Sequence, residues 1–223
     1  MSGISKKSEA DAVTASGRFA AGEDPAKRRQ ILDGAKRVFM RMGFDAASMN
    51  DVTREAGVSK GTLYVYFGNK EDLFTAMIEA ERAAFVAALK TALAEEVDLE
   101  SSLYYFGMKF IFHITNEDVI KVMRTLIGVR PRMPALCQRF FNSPENLRAV
   151  LRSHLTKHVE MGQLVIEDMD LAAVQFLELA SGSLFKFRLF GTLASPPSQE
   201  EADRIVRGAV RVFMAAYAKP KAV

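Results

Sequence analysis

Residues 57–73 read GVSKGTLYVYFGNKEDL, and this stretch decides the fold. Gly57 follows a helical run, Met49 to Ala56, and glycine takes the left-handed conformation that lets one helix stop and another start almost at once. Val58 plugs the turn, and Ser59 is placed to cap the amides of a helix over Lys60 to Phe67. Leu63 and Phe67, four apart, share its buried face. The opposite face presents Lys60, Gly61, Thr62, Tyr64 and Tyr66. A cation, hydroxyls, stacking rings and a bare stretch of backbone suit a phosphate backbone and groove better than plain solvent. Asn69 and Asp72 form a capping-box-like pair for the next helix. Lys70, at that helix's amino end, opposes the dipole but would serve a nearby phosphate.

From Ile31 to Phe74 the chain closely resembles the amino-terminal DNA-binding domain of the TetR family of bacterial transcriptional repressors. The family signature is similar to Gly57–Phe67 here, Gly-Val-Ser-Lys-Gly-Thr-Leu-Tyr-x-Tyr-Phe, followed by a polar cap and Lys-Glu. The resemblance implies base-edge positions for Lys60 and Gly61, and phosphate-contacting positions for Ser59, Thr62, Tyr64, Tyr66 and Lys70. Ser48, at the start of the preceding helix, joins this DNA-binding set. Thr53 departs from the small alanine common in relatives, which bears on the packing of helix two and not on the recognition face. The plainer alternative is a tight helical hairpin with no nucleic-acid role.

The 223 residues suffice for one large domain or two small ones with real cores, and 49% of them are apolar. No stretch approaches the ~18 uninterrupted apolar residues of a membrane span, and Ile4 to Val13 is too polar for a signal peptide's core. The single cysteine, Cys137, excludes an internal disulfide and fits a reducing compartment, so a cytoplasmic location is expected. The net charge of +3 says little, but residues 1–70 carry +4 and the remainder −1, so the positive half holds the motif.

Met1 to Asp24 lacks helical periodicity and reads as a disordered arm, either inert or lending Lys6, Lys7 and Arg18 to phosphates. Pro25 opens helix one, Ala26 to Met42, whose core face is Ile31, Ala35, Val38 and Phe39. Gly43 ends it, Phe44 plugs the small domain, and Ser48 with Asp51 caps helix two. Val52 and Ala56 line the inner face of helix two, the alanine being small enough for the close crossing a helix-turn-helix requires. Glu71 begins a long helix reaching about Glu96, the natural lever between a DNA-binding domain over 25–74 and a second domain over 75–223. Beyond it there is no hairpin signal, sustained period-two strand or internal repeat. Helices are expected at about Glu100 to Ile114, Glu117 to Gly128, Met133 to Phe141, Pro144 to Met161, Leu171 to Phe190 and Gln199 to Ala218. The fold class is all-α.

Family relatives generally bind an inducer in the second domain. Here Met108, Phe112, Met123, Phe140 and Phe176 are candidates to line a pocket for an apolar or aromatic small molecule, against the plainer reading that each fills core. His154 and His158, four apart, would need a third ligand such as Glu160 or His113 to hold a metal ion; surface histidines are the plainer reading, and no metal or cofactor is expected. Arg124, Arg130, Arg132 and Arg139 read as a solvent-exposed connection between prolines, or as partners for an anionic ligand. Phe176, Ala180, Leu184 and Phe187 on one helix, with Ile205, Ala209, Val212 and Phe213 on the other, suggest a four-helix homodimer interface, aided by the small Gly182, Ser183 and Gly208.

The expectation is therefore a homodimeric regulator on a palindromic double-stranded operator, a repressor released by a small-molecule effector. An activator, or a binder with no ligand, is the alternative. No nucleophile elbow, phosphate-cradling glycine loop or metal motif points to an enzyme. A protein-only adaptor would leave Lys60, Tyr64, Tyr66 and Lys70 without purpose.

Overall fold

The computed structural model describes residues 20–95, 98–142 and 146–219. Lys6, Lys7 and Arg18 of the expected arm, and the side chains of Cys137, Arg139 and Phe141, lie outside the described residues. The chain divides into two compact units, Met1–Glu79 and Ala80–Val223.

The first unit holds α1 (Pro25–Met42), α2 (Met49–Ala56), α3 (Lys60–Tyr66) and the start of α4 (Lys70–Glu95). Each helix begins on a cap. The Asp24 carboxylate accepts from the amides of Ala26 and Lys27 ahead of α1. Ser48 and Asp51 form a reciprocal box, Asp51 N donating to Ser48 Oγ at 3.2 Å and Ser48 N to Asp51 Oδ2 at 3.1 Å. Asn69 Oδ1 receives Asp72 N at 2.7 Å at the start of α4. α2 ends on Gly57 at φ +64° and ψ +37°. Such caps contribute about 1 kcal/mol each, but helices as short as α2 and α3 do not persist alone.

Packing supplies what local signals lack. Ile31, Val38, Val52, Leu63 and Leu73 are fully buried. The rings of Phe39, Phe44 and Phe74 meet at centroid distances of 4.8 to 5.9 Å. α1 and α2 cross at Gly34, where a Cβ would stand 2.6 Å from Ala56 Cβ and 2.8 Å from Ala56 Cα. A glycine facing an alanine sets how closely the two helices approach.

The second unit contains the rest of α4, then α5 (Leu99–Thr115), α6 (Glu117–Val129), α7 (Pro134–Asn142), α8 (Leu147–Glu160), α9 (Met169–Ser181), α10 (Leu184–Phe190) and α11 (Gln199–Tyr217). α5 is the hub, packed against α9 and α11 and touching α6 and α10. Its aromatic run is buried on broad faces because it has helices on several sides. Phe106 meets Phe176 edge-on at 6.1 Å, and Phe176 meets Phe213 at 5.3 Å. Fully burying such a side chain is worth roughly 2–3 kcal/mol. Among the described residues there is no strand, only the isolated antiparallel bridge Leu164–Ala218, and no helix long and apolar enough to cross a membrane.

Two expectations are corrected here. The single helix over Leu171 to Phe190 is broken into α9 and α10 at Gly182, whose φ of +53° and ψ of −145° are open to glycine and strained for other residues. Gly182 thus redirects the chain rather than admitting a partner helix. Past the break Arg188 is 3% exposed and donates from Nε to Thr115 O at 3.0 Å, from Nη1 to Leu193 O at 2.9 Å and from Nη2 to Glu117 Oε2 at 2.6 Å. Arg124 is exposed, as are Arg130 and Arg132, and it donates to the carbonyls of Arg188 and Leu189 near the end of α10.

The histidines of α8 are not at the surface. His154 and His158 are both buried, the first bonded through Nε2 to Ser102 Oγ at 2.7 Å, the second through Nδ1 to Gln163 Oε1 at 2.5 Å. These polar partners offset the cost of burying an imidazole. His113 is half-buried, stacked on Phe85 with ring centroids 3.6 Å apart. Desolvation pushes the pKa of His113 and of His154 down to about 4.

Candidate nucleic-acid interface

α3 is built to expose one face and bury the other. Ser59 caps it, accepting from Thr62 N at 3.0 Å, while Leu63 and Phe67 anchor it in the core. Ser59 Oγ also meets Thr62 Oγ1 at 2.8 Å, so these two hydroxyls order the start of the helix before any ligand arrives. Lys60, Gly61, Tyr64 and Val65 are exposed, Tyr64 by 43%. Lys60 Nζ sits 5.9 Å from the Tyr64 ring centroid, and no carboxylate pairs with it among the described residues. A Cβ on Gly61 would find only Ser59 Oγ, at 3.8 Å, so the backbone there stands open to close approach. Tyr66 is half-buried, its ring beside Phe67 at 6.5 Å. Ser48 is exposed at the start of α2, its hydroxyl committed to the capping box.

Lys70 differs from expectation. Its ammonium donates to the carbonyls of Phe44 at 2.8 Å, Ala47 at 3.0 Å and Asp45 at 3.3 Å, and lies 4.5 Å from the Phe44 ring centroid. Three donors meet three acceptors, so Lys70 holds the α1–α2 connection instead of waiting for a phosphate. Lys70→Met is expected to cost the first unit about 1–2 kcal/mol in thermal unfolding. It should leave the salt dependence of DNA binding unchanged, whereas removing a phosphate contact would lower that slope by about one.

Several supports are not visible in the sequence. Gln30 Nε2 donates to Ala56 O at 2.7 Å, tying α1 to the end of α2. Arg37 and Arg41 converge on Glu55, at 2.7 and 3.1 Å, and their hydrogen bonds hold its carboxyl below the usual range. The Ser48 hydrogen bonds do the same for Asp51. Arg28 lies over the Phe67 ring at 5.4 Å. Thr53 sends its hydroxyl to Asn50 O at 2.7 Å and leaves the inner face of α2 to Val52 and Ala56. Gly22 passes beside α3, where a Cβ would be 3.3 Å from Val65 O. These partners lie far apart in sequence or depend on rotamers, and no local pattern announces them.

The residues singled out in the second unit separate into groups. Met108 and Phe176 belong to one buried cluster with Phe112 packed against it, whereas Met123 and Phe140 are half-buried on α6 and α7. Of the expected dimer residues, Phe176, Ala180, Leu184, Ala209 and Phe213 are at most 5% exposed within the protomer and have no surface to give a second copy. That part of the expectation is corrected, because their faces pack against α5 and against each other. Phe187 and Val212 are exposed, and Ile205 is half-buried.

A capped helix-turn-helix presenting Lys60, Gly61 and Tyr64, joined to a larger all-helical unit, defines a transcriptional regulator of the helix-turn-helix class. Residues 31–77 match the family model of bacterial regulatory proteins of the tetR family, and residues 101–219 match that of the AefR-like transcriptional repressor carboxy-terminal domain. The chain belongs to the TetR family. It is 29% identical over 196 residues to the transcriptional repressor AcnR of Corynebacterium glutamicum, covering 86% of this chain and 97% of that one. A putative TetR-family regulator from Mesorhizobium loti superposes with a TM-score of 0.79 at 26% identity, covering 88% of this chain and 99% of the other. The flavonoid-responsive regulator FrrA gives 0.68 at 27%, again covering 88% and 99%. Members of this family are regulators and not enzymes.

Proposed function

We propose that the protein is a homodimeric repressor that occupies a palindromic operator and leaves it when a small apolar or aromatic molecule enters the second unit. The outward face of α3 carries the reading. Lys60 and Gly61 address base edges, while Tyr64, Thr62 and Ser59 address phosphates and fix the register. A seven-residue helix reads too few bases to be selective, and two copies related by a twofold axis read a palindrome.

Support for a dimer lies in apolar surface the protomer leaves uncovered: Phe187 at 49%, Phe190 at 80%, Val212 at 50% and Leu171 at 51% exposed. On α11, Ile205, Gly208, Val212 and Ala216 fall on one stripe at spacings of three and four, outside the buried face of Val206, Ala209 and Phe213. Support for an effector lies in the aromatic interior around α5, and in a relative described as flavonoid-responsive. An effector acts by preferring the conformation that does not fit the operator, by a few kcal/mol.

Footprinting on DNA flanking the gene, with sedimentation of the same samples, tests this reading. A two-half-site footprint from a dimer, with Val212→Glu giving a folded monomer that no longer protects the DNA, is the expected result. A monomeric wild-type protein protecting a single half-site would refute it.

A further inference from the structure

Arg82 on α4 stands apart from the other arginines of the second unit. Its Nη1 donates to Phe140 O at 2.8 Å, and its guanidinium carbon lies 5.7 Å from the Phe140 ring centroid. Its Nε is enclosed and has no acceptor, the one buried side-chain nitrogen or oxygen without a partner among the described residues. No carboxylate among the described residues lies within ion-pair distance of it. By contrast Arg188, which is more deeply buried, has every edge satisfied by two carbonyls and Glu117. A native fold that leaves one charged donor unanswered calls for an explanation.

The geometry of the guanidinium says what would answer it. The Nη1 corner is taken by the Phe140 carbonyl, which leaves the Nε–Nη2 edge, two parallel N–H groups that match the two oxygens of a carboxylate. Aromatic groups stand along the same helix and across from it. Phe85 is one turn along α4 on the same side and stacks on His113, whose imidazole is held neutral, and Phe140 covers the guanidinium from α7. An unanswered cationic fork set among aromatic side chains from α4, α5 and α7 is a receptor for an anion with an apolar body.

We infer that the effector is an apolar monocarboxylate whose carboxylate is gripped by the Nε–Nη2 edge of Arg82 while its body packs against Phe85 and Phe140. The inference rests on the reading that a small molecule enters the second unit, and it adds the charge that this molecule must bear. The carboxylate and the Phe140 carbonyl then share one guanidinium on different edges, so the link between α4 and α7 stays in place when the ligand binds.

Matched probes test it: 2-naphthoate against 2-naphthalenemethanol, and decanoate against decanol, each applied to the full-length protein on its operator. Thermal stabilisation and operator release are read for wild type, Arg82→Gln and Arg82→Lys. A charge-assisted bidentate bond predicts that at least one carboxylate binds wild type about tenfold to a hundredfold more tightly than its alcohol. Arg82→Gln should lose that preference while melting cooperatively on its own and still binding operator, and Arg82→Lys should recover only part of it. If alcohol and carboxylate release the operator equally, or Arg82→Gln keeps the preference, the carboxylate inference fails and effector control stands. If none of the four probes stabilises the protein or releases the operator, the inference fails for this ligand class and effector control loses its support with it.

Discussion

Gly34→Ala is expected to disable the protein, whereas Gly61→Ala leaves it folded and weakens only its grip on DNA. The same added methyl group has opposite consequences because of what it meets. At Gly34 the Cβ arrives 2.8 Å from the Cα of Ala56, so the obstacle is backbone, and α1 and α2 must separate by about an ångström. Alanine gains roughly 1 kcal/mol over glycine in helix propensity, but overpacking a closed crossing costs up to about 3 kcal/mol. The steric term wins, with a net loss of about 2 kcal/mol from the first unit, and α2 no longer positions α3. At Gly61 nothing but Ser59 Oγ is near, so the propensity gain stands alone and unfolding shifts slightly upward. The new methyl then lies where the backbone approaches the groove. Thermal unfolding followed by circular dichroism, with operator affinity measured beside it, separates the two effects. Equal stability for Gly34→Ala and wild type would show that the crossing is looser than these distances imply.

Mild acid should destabilise the second unit well before ordinary carboxylates titrate. His113 and His154 have pKa values pushed down to about 4 in the fold against 6.5 when solvated. Between those values the unfolded chain binds more protons than the folded one, so stability rises with pH through this window and is complete above about 6.5. It is lost as pH falls from 6.5 toward 4. At pH 4.5 each histidine accounts for at most about 2.5 kcal/mol, and the pair for a large share of the roughly 5–15 kcal/mol that holds a typical domain. Glu117 and Asp98, whose carboxyls are held low by Arg188 and by the hydroxyl and amide of Ser101, add their losses only at lower pH. Urea unfolding at pH 7.0 and 4.5 should show this drop, and His154→Gln should remove about half of it. A flat profile over that interval would place both imidazoles in water.

Much of the first unit can be read from the chain because its signals are local. The glycine at 57, the Ser48–Asp51 box, Ser59 and the Asn69–Asp72 pair act over three or four residues, and each cap forms where its spacing places it. Gly34 escapes such a reading because its reason is Ala56, twenty-two positions away, and inside α1 it looks like an ordinary weak point. Lys70 reads as an exposed cation because the three carbonyls it collects come from residues 44, 45 and 47. The second unit is less legible still. Apolar periodicity locates its helices, yet it does not distinguish a face that meets α5 from one left for a second copy, so Phe176 and Phe187 look equivalent in the sequence and are not. Nor does four-residue spacing reveal that His154 and His158 point inward to Ser102 and Gln163.

The measurement closest to the central claim is operator affinity as a function of salt, from about 50 to 200 mM, for wild type, Lys60→Ala and Tyr64→Ala. If α3 reads DNA as its exposed face indicates, wild type binds its operator far more tightly than random sequence, and affinity falls steeply with salt. Lys60→Ala then loses discrimination between the two, and Tyr64→Ala binds about tenfold or more weakly with an unchanged fold. If both variants bind the operator as wild type does, α3 is not the reading element, and the operator must be recognised by some other surface of the protein.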